Sequence, residues 1–200
     1  MALSVLVLGR LDQVPEAEQA VFRAINGLPD GLNPYVRPPM FLGTLAAVPV
    51  FMVLFGVLGK FRMGFVMGMS GLCAYLLAIV AKHGIGRGRP AAVLANVQLR
   101  DVHASGLGFP SGHSAVAAAL VVAALPYLPR RWRAPVLLFP IFMAFARIYV
   151  GAHLPLDTVS GAAIGVAVAS AWHLILGVPL IPSADPPVVA PEAGERASNA

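Results

Sequence analysis

Long apolar stretches alternate with short polar ones along most of the chain. Five of them have the length and apolar character of a membrane-crossing helix, which needs about 20 residues to cross the hydrocarbon core. They lie at residues 40–59, 63–81, 111–128, 134–152 and 158–178. The pattern predicts an all-α fold: a polytopic transmembrane helical bundle of about five spans.

The two ends of the chain differ from this central region. Residues 1–11 contain an apolar run that is too short to span a bilayer and lacks the basic start of a signal peptide. In residues 15–28, apolar side chains recur at helical spacing beside charged ones. This indicates either an amphipathic helix in the membrane interface or a helix packed on the domain. The expected organisation is an N-terminal interfacial segment at 1–39, a transmembrane domain at 40–178 and a disordered tail, rich in Pro, Ala, Glu and Ser, at 179–200.

Composition supports membrane insertion and excludes several other classes of protein. Hydrophobic residues make up 58% of the chain, charged residues only 12%, and the mean hydropathy is +0.78. The net charge of +5 comes from scattered residues without a basic run or arginine–aromatic interleaving, so no nucleic-acid partner is expected. The single cysteine, Cys73, cannot form an intrachain disulfide, and no Cys/His spacing indicates zinc.

Basic residues in two short loops predict the orientation in the membrane. Lys60 and Arg62 join the first two spans, and residues 130–133 join the third and fourth. Short basic loops prefer the cytoplasm, so the polar segments at 83–110 and 147–157 are expected together on the opposite, extracytoplasmic face. The amino terminus is then outside and the tail inside.

The polar segment at 147–157 has the chemistry of a phosphate site. Charged groups beside an apolar span are costly to hold there, so a cluster of them indicates a function. Arg147 can bind phosphate oxygens, His153 can attack phosphorus, and Asp157 can orient and stabilise that imidazole. Pro155 favours a helix start, which would place Asp157 in the first turn. The alternative is an ordinary polar helix end at the membrane interface.

The segment from Lys82 to Pro90 supplies further cations. Lys82 and Arg89 can contact an anion, with Arg87 between them, and glycines at 84, 86 and 88 let the backbone approach a ligand closely. The alternative is a basic flank at the end of a span.

A third polar group, Pro110–His113, precedes a predicted span. Ser111 offers a hydroxyl, Gly112 an accessible N–H, and the helix start a partial positive charge, which together suit an anion. His113 could protonate a leaving oxygen. The alternative is a proline-led helix start with an interfacial histidine.

Together these groups form the set that phosphoryl transfer through a phosphohistidine needs. Cations neutralise the phosphate oxygens, one imidazole attacks and the other acts on the leaving group. No cofactor or metal is expected, since the cations take the place of a metal and no carboxylate cage for magnesium is recognisable.

These strings resemble the three signature motifs of the type 2 phosphatidic acid phosphatase superfamily, whose sites are related to those of vanadium haloperoxidases. The matching positions are Lys82 with Arg89-Pro90, then Pro110-Ser111-Gly112-His113, then Arg147, His153 and Asp157. The resemblance implies His153 as nucleophile, Asp157 as its partner and His113 as acid, then base. It implies Lys82, Arg89, Ser111, Gly112 and Arg147 as phosphate ligands. Two features depart from the family pattern: Ala146 stands where a serine is common, and six spans are usual.

The sequence therefore predicts a metal-independent lipid phosphatase in a bacterial plasma membrane, with its site on the extracytoplasmic face. A polyprenyl phosphate or diphosphate is the favoured substrate, and phosphatidylglycerol phosphate, phosphatidic acid or a prenyl-linked sugar phosphate are alternatives. A lipid phosphotransferase and a catalytically silent lipid-binding protein are the other hypotheses. Membrane lipids are the expected surroundings, and the oligomeric state is not predicted.

Overall fold

The computed structural model describes residues 13–101 and 106–178. Within those ranges the regular structure is helical, apart from one isolated antiparallel bridge between Gly88 and Leu107. The predictions for residues 1–11 and for the tail at 179–200 lie outside the described residues.

Eight α-helices form the described part of the chain. They are α1 (Glu16–Asn26), α2 (Asn33–Met40), α3 (Ala47–Val57), α4 (Phe61–Ile85), α5 (Pro90–Val93), α6 (Gly112–Ala124), α7 (Arg130–Tyr149) and α8 (Pro155–Ile175). Short 3₁₀ turns occupy Asp30–Leu32, Phe41–Gly43 and Leu125–Tyr127.

Three of these helices, α4, α7 and α8, are long and apolar enough to cross a membrane. A fourth candidate span consists of Asp30–Gly43 followed by α3, two pieces bent by 69° relative to each other. Helix α6 is apolar but shorter than a span. The chain is thus an all-helical integral membrane protein with three to four candidate spans in its described residues, fewer than the five read from hydropathy.

The predicted first span, at 40–59, is broken rather than continuous. Thr44 is extended (φ −81°, ψ 159°), and its hydroxyl donates a 2.7 Å hydrogen bond to the carbonyl oxygen of Phe41. Pro49 follows in the first turn of α3, where its missing N–H is tolerated but cannot bond back to the preceding turn. The extended Thr44 and Pro49 account for the interruption of an otherwise apolar run.

Helix α6 forms the centre of the bundle, packed against α4, α7 and α8. Its residues from Ala115 to Val121 are buried on every side, as expected of a helix that is apolar all round. Helix α8 approaches it through glycines: a Cβ atom at Gly161 would lie 2.2 Å from the carbonyl oxygen of Ser111, and one at Gly165 would lie 2.2 Å from that of Ala115. Such small residues allow close backbone contact between helices in membranes.

Helix α1 packs against the junction of α7 and α8. Phe22 is buried against Ile148 and Leu154, at the end of α7 and just before α8. Asn26 donates hydrogen bonds to the carbonyl oxygens of Tyr149 and Gln98 at 3.0 and 2.9 Å. Packing on the domain was one of the two interpretations of this segment, and a position in the membrane interface stays a prediction.

Candidate active site

Two glycine-containing loops meet at one end of the bundle. The N–H of Gly108 donates a 2.8 Å hydrogen bond to the carbonyl oxygen of Arg87, beside the bridge between Gly88 and Leu107. A Cβ atom at Gly108 would lie 2.9 Å from the carbonyl oxygen of Gly88 and 3.1 Å from Oδ2 of Asp157. The close approach therefore depends on glycine at position 108, and it joins both loops to the start of α8.

His153 and Asp157 lie next to each other at the start of α8. The side chains are 2% and 0% exposed, and Nδ1 of His153 lies 3.4 Å from Oδ2 of Asp157. The two groups are adjacent at that distance, but Nδ1 makes no hydrogen bond within the described part of the chain. Oδ2 instead accepts the N–H of Leu154 at 2.9 Å, so Asp157 also caps the helix that carries it.

Burial keeps the His153 imidazole neutral. Loss of hydration lowers its pKa well below the usual value of 6.5, and the positive charges of Arg147, Arg89 and Lys82 lower the pKa further. A backbone contact with Gly108 acts in the opposite direction but does not outweigh them. A neutral imidazole is the form that can act as a nucleophile.

The lowered pKa predicts that folding becomes less favourable in acid. Below about pH 6.5 the unfolded chain binds a proton at His153 that the folded chain does not, so the free energy of unfolding falls as the pH falls, by up to about 1.4 kcal/mol per pH unit. Melting temperatures in detergent between pH 7.5 and 5 should therefore decrease less steeply for His153→Gln than for the wild type. The exposed His83 provides the control: His83→Gln should keep the wild-type slope. Equal slopes for the wild type and His153→Gln would contradict the prediction.

The three predicted phosphate-binding cations lie around His153. Nζ of Lys82 donates to the carbonyl oxygens of Leu107 and Gly108, both at 3.2 Å. Nη1 of Arg89 donates to the carbonyl oxygen of Ala152 at 3.1 Å.

Two buried donors of this cation group have no acceptor in the described part of the chain. Nε of Arg89 and Nε of Arg147 are buried and make no hydrogen bond to the described residues. Buried donors of this kind are costly unless an acceptor meets them, and an anion would supply one.

The second predicted motif forms the N-terminus of α6. Ser111 is the N-cap residue, and its Oγ accepts the N–H of Ser114 at 3.4 Å. The N–H of Ser111 donates to the carbonyl oxygen of Asp157 at 2.8 Å, which ties this helix start to α8. Gly112 and His113 follow in the first turn, both partly buried. These hydrogen bonds and the charge contacts of His113 and His153 with the cations bring all eight predicted site residues to the same end of the bundle.

The sequence did not predict that three charged residues contact the site: Glu18, Arg87 and Asp101. Arg87 pairs with Asp157 and Glu18 and does not belong to the predicted phosphate-binding cations: Nη1 lies 3.0 Å from Oδ1 of Asp157, and Nη2 lies 2.7 Å from Oε2 of Glu18. Asp101 pairs with Arg147, with Oδ2 at 2.8 Å from Nη1. Glu18 lies 69 residues from Arg87, and Asp101 lies 46 residues from Arg147. Pairs so distant leave no local sequence signal.

The resemblance read from the motifs is confirmed by the family comparison. The chain belongs to the PAP2 superfamily, whose family model matches residues 59–178.

Relatives in this family are named as phosphatases of lipids. The chain is 31% identical to the decaprenylphosphoryl-5-phosphoribose phosphatase of Mycolicibacterium smegmatis over 160 residues, covering 76% of this chain and 84% of that protein. It is 34% identical to the lipid A 1-phosphatase of Rhizobium johnstonii over 116 residues, covering 56% of this chain and 43% of that protein. It is 25% identical to the undecaprenyl-diphosphatase of Sulfolobus acidocaldarius over 141 residues, covering 70% and 66%. The chain thus spans less than half of the Rhizobium protein and about two thirds of the Sulfolobus protein.

Two crystal structures share the fold. Aquifex aeolicus LpxE superposes with a TM-score of 0.69 at 23% identity, covering 77% of this chain and 93% of that one. The PAP2-type phosphatidylglycerolphosphate phosphatase of Bacillus subtilis superposes with a TM-score of 0.68 at 23% identity, covering 88% and 95%. The Bacillus protein is named as a transmembrane phosphatase, and both structures share the fold of this chain.

Proposed function

We propose that this chain is a membrane lipid phosphatase that hydrolyses a lipid phosphomonoester or diphosphate through a phosphohistidine intermediate. The observation that carries the proposal is the pairing of buried His153 and Asp157 beside the buried Nε donors of Arg89 and Arg147, which find no acceptor among the described residues. A neutral nucleophile and cationic donors are what attack on a phosphate dianion requires. The names of the relatives support the same class of reaction.

In the proposed first step, His153 attacks phosphorus. Nδ1 faces Asp157, which leaves Nε2 for the phosphate. As the P–N bond forms, the bond from phosphorus to the lipid oxygen breaks, and His113 gives that oxygen its proton. Lys82, Arg89 and Arg147 offset the negative charge on the phosphoryl oxygens, together with the N-terminus of α6 at Ser111 and Gly112.

In the second step, water takes the place of the lipid. His113, now neutral, removes a proton from water as the oxygen attacks phosphorus and the P–N bond breaks. Inorganic phosphate leaves, and both imidazoles return to their starting state. Asp157 stabilises the charged form that His153 passes through.

The favoured substrate is a polyprenyl phosphate or diphosphate. Support comes from the names of two relatives, one acting on undecaprenyl diphosphate and the other on a decaprenylphosphoryl sugar phosphate. Like these two relatives, the lipid A 1-phosphatases are named for a phosphate that is carried by a lipid. Phosphatidylglycerol phosphate and phosphatidic acid are the alternatives within the same chemistry.

We further propose that the site opens on the extracytoplasmic side of a bacterial plasma membrane. The positive-inside rule supports this, because the basic loops lie at the other end of the helices from the site. Arg62, at the start of α4, donates a hydrogen bond to the carbonyl oxygen of Leu176, just beyond the end of α8. The site lies where α4 ends and α8 begins.

The test is phosphate release by the purified protein in detergent with EDTA. The panel consists of prenyl diphosphates, prenyl monophosphates and glycerolipid phosphates. We expect release that survives chelation and is fastest for a prenyl substrate, because cationic side chains rather than a metal offset the phosphate charge.

The other outcomes separate the competing hypotheses. Transfer of phosphate to an added alcohol in place of water would indicate a phosphotransferase. Loss of release on chelation would contradict the metal-independent mechanism. Binding of the lipids without release or transfer would indicate a silent lipid-binding protein.

A further inference from the structure

The cluster of half-buried Glu18 with buried Arg87 and Asp157 connects the N-terminal helix α1 to the start of α8. Arg87 is 1% exposed and lies between the two carboxylates, 2.7 Å from Glu18 and 3.0 Å from Asp157. Arg87 belongs to none of the motif positions that the family resemblance assigns. A buried guanidinium held on both sides by carboxylates is costly to assemble, so its position next to the partner of His153 needs an explanation.

The contacts of Asp157 show what Arg87 does there. The two carboxylate oxygens have different partners: Oδ1 accepts Nη1 of Arg87, while Oδ2 accepts the N–H of Leu154 and faces His153. Arg87 therefore fixes the rotation of the carboxylate about its Cβ–Cγ bond. That rotation decides whether Oδ2 points at Nδ1 of His153.

Glu18 holds both the first turn of α8 and the guanidinium of Arg87. Its Oε1 accepts the N–H of Leu156 at 2.9 Å, a backbone donor in the first turn of α8 that has no partner inside the helix. The same carboxylate holds Nη2 of Arg87 at 2.7 Å. Glu18 thus holds both the helix turn next to Asp157 and the guanidinium that orients Asp157.

The charge state of Arg87 agrees with this arrangement. Burial alone would lower its pKa, but hydrogen bonds and charge from Glu18 and Asp157 outweigh burial and raise the pKa above the usual value. The guanidinium stays charged at every pH at which the protein is folded.

We propose that Glu18 and Arg87 are positioning residues, which orient Asp157 toward His153 and make α1 an integral part of the active site. The inference rests on the proposed phosphatase function. Neither residue touches the substrate: Lys82, Arg89 and Arg147 bind phosphate, whereas Arg87 and Glu18 act through Asp157 on the proton that His153 carries at Nδ1.

The first test measures kcat and KM for Glu18→Gln and Arg87→Gln. We expect kcat to fall about 3- to 10-fold for Glu18→Gln and about 10- to 100-fold for Arg87→Gln, as for other residues that orient a reacting group from behind. KM and inhibition by inorganic phosphate should change by less than about twofold, since the phosphate-binding cations are intact. Wild-type kcat in both variants would overturn the proposal.

Matched variants separate positioning from general loss of structure. Glu16→Gln makes the same chemical change on an exposed carboxylate of α1 and should leave kcat unchanged. Arg100→Gln removes another arginine that clamps α1 to the bundle, through the carbonyl oxygens of Asn26 and Leu28, and it should lower the melting temperature without lowering kcat. In an Asp157→Asn background, Arg87→Gln should lower kcat by less than about a further twofold, because the group through which it acts is already removed. Independent, additive losses would mean that Arg87 is merely structural.

An NMR measurement that needs no catalytic turnover tests the positioning role separately from the proposed phosphatase function. In protein labelled with ¹⁵N-histidine, the imidazole of His153, assigned by its loss in His153→Gln, should carry its proton on Nδ1. Arg87→Gln should shift that tautomer balance, because Oδ2 is no longer held toward Nδ1. An unchanged spectrum would overturn the positioning role even if the protein released phosphate. A shifted spectrum in a protein that releases no phosphate would instead contradict only the proposed function.

Discussion

Replacing His153 by alanine should reduce phosphate release to the background rate with every lipid that the wild-type chain hydrolyses. The expected loss is about 10⁴-fold or more, which is the effect of removing the nucleophile from a site that works by covalent catalysis. The remaining groups would still bind phosphate, because the imidazole is not among the hydrogen-bond partners that hold them. Lys82 and Arg89 contact backbone carbonyl oxygens, and Arg147 pairs with Asp101. Binding without turnover is therefore the expected behaviour of the variant.

The decisive measurement is trapping of the intermediate. With a ³²P-labelled substrate and rapid quenching, the wild type should carry label that is stable in alkali and lost in acid, as a phosphorus–nitrogen bond is, and His153→Ala should carry none. His83→Ala is the control, because His83 is exposed and next to Lys82 in sequence. Labelling that persists in His153→Ala would place the nucleophile elsewhere.

His113→Ala sharpens the assignment of roles. If His113 protonates the leaving oxygen, its removal should slow the hydrolysis of lipid substrates about 10²- to 10⁴-fold. A nitrophenyl phosphate ester has a leaving group that departs without a proton. Its rate of phosphoryl transfer to His153 should therefore fall much less in His113→Ala. The same loss for both leaving groups would contradict an acid role for His113.

The second large effect is expected from a single methyl group between helices α6 and α8. In Gly161→Ala the new Cβ atom would lie 2.2 Å from the carbonyl oxygen of Ser111 and 3.1 Å from its carbonyl carbon. Both are backbone atoms, so the contact can be relieved only by moving one helix away from the other. Overpacking of this kind costs about 1–3 kcal/mol.

This variant should lose both stability and activity. We expect a melting temperature in detergent lower by roughly 5 °C, and phosphate release reduced because Ser111 begins the helix that faces the site. Gly56→Ala is the matched control: it adds the same methyl group in α3, where no atom lies within 4 Å of the new Cβ. An unchanged melting temperature for Gly161→Ala would mean that the α6–α8 contact is looser than the structure has it.

Hydropathy predicts the long elements of this fold well because their signal is local. Helices α4, α7 and α8 overlap the predicted apolar runs and end near the charged or proline-containing segments that bound them. The run at 40–59 is equally apolar, but hydropathy carries no information on backbone direction, and the bend at Thr44 depends on a local hydrogen bond and on Pro49.

The predicted site residues share a different property: each belongs to a short motif next to the end of a helix. Once the helices alternate in direction, their polar ends must meet, so the grouping of Lys82, His113 and His153 follows from the order of the spans. The Glu18–Arg87 and Asp101–Arg147 pairs do not follow from it. They depend on how helix α1 and the loop before α6 pack against the bundle, and that is decided by tertiary packing.

The hydrogen bond from the N–H of Ser111 to the carbonyl oxygen of Asp157 has a consequence for motion. Together with the glycine contacts beneath it, this bond makes the first turns of α6 and α8 a single rigid unit. The amide proton of Ser111 should accordingly be among the slowest in the protein to exchange with deuterated solvent, because exchange requires the two helices to part. Any rearrangement that admits a lipid or releases phosphate is then expected around this unit, in the surrounding loops, rather than within it.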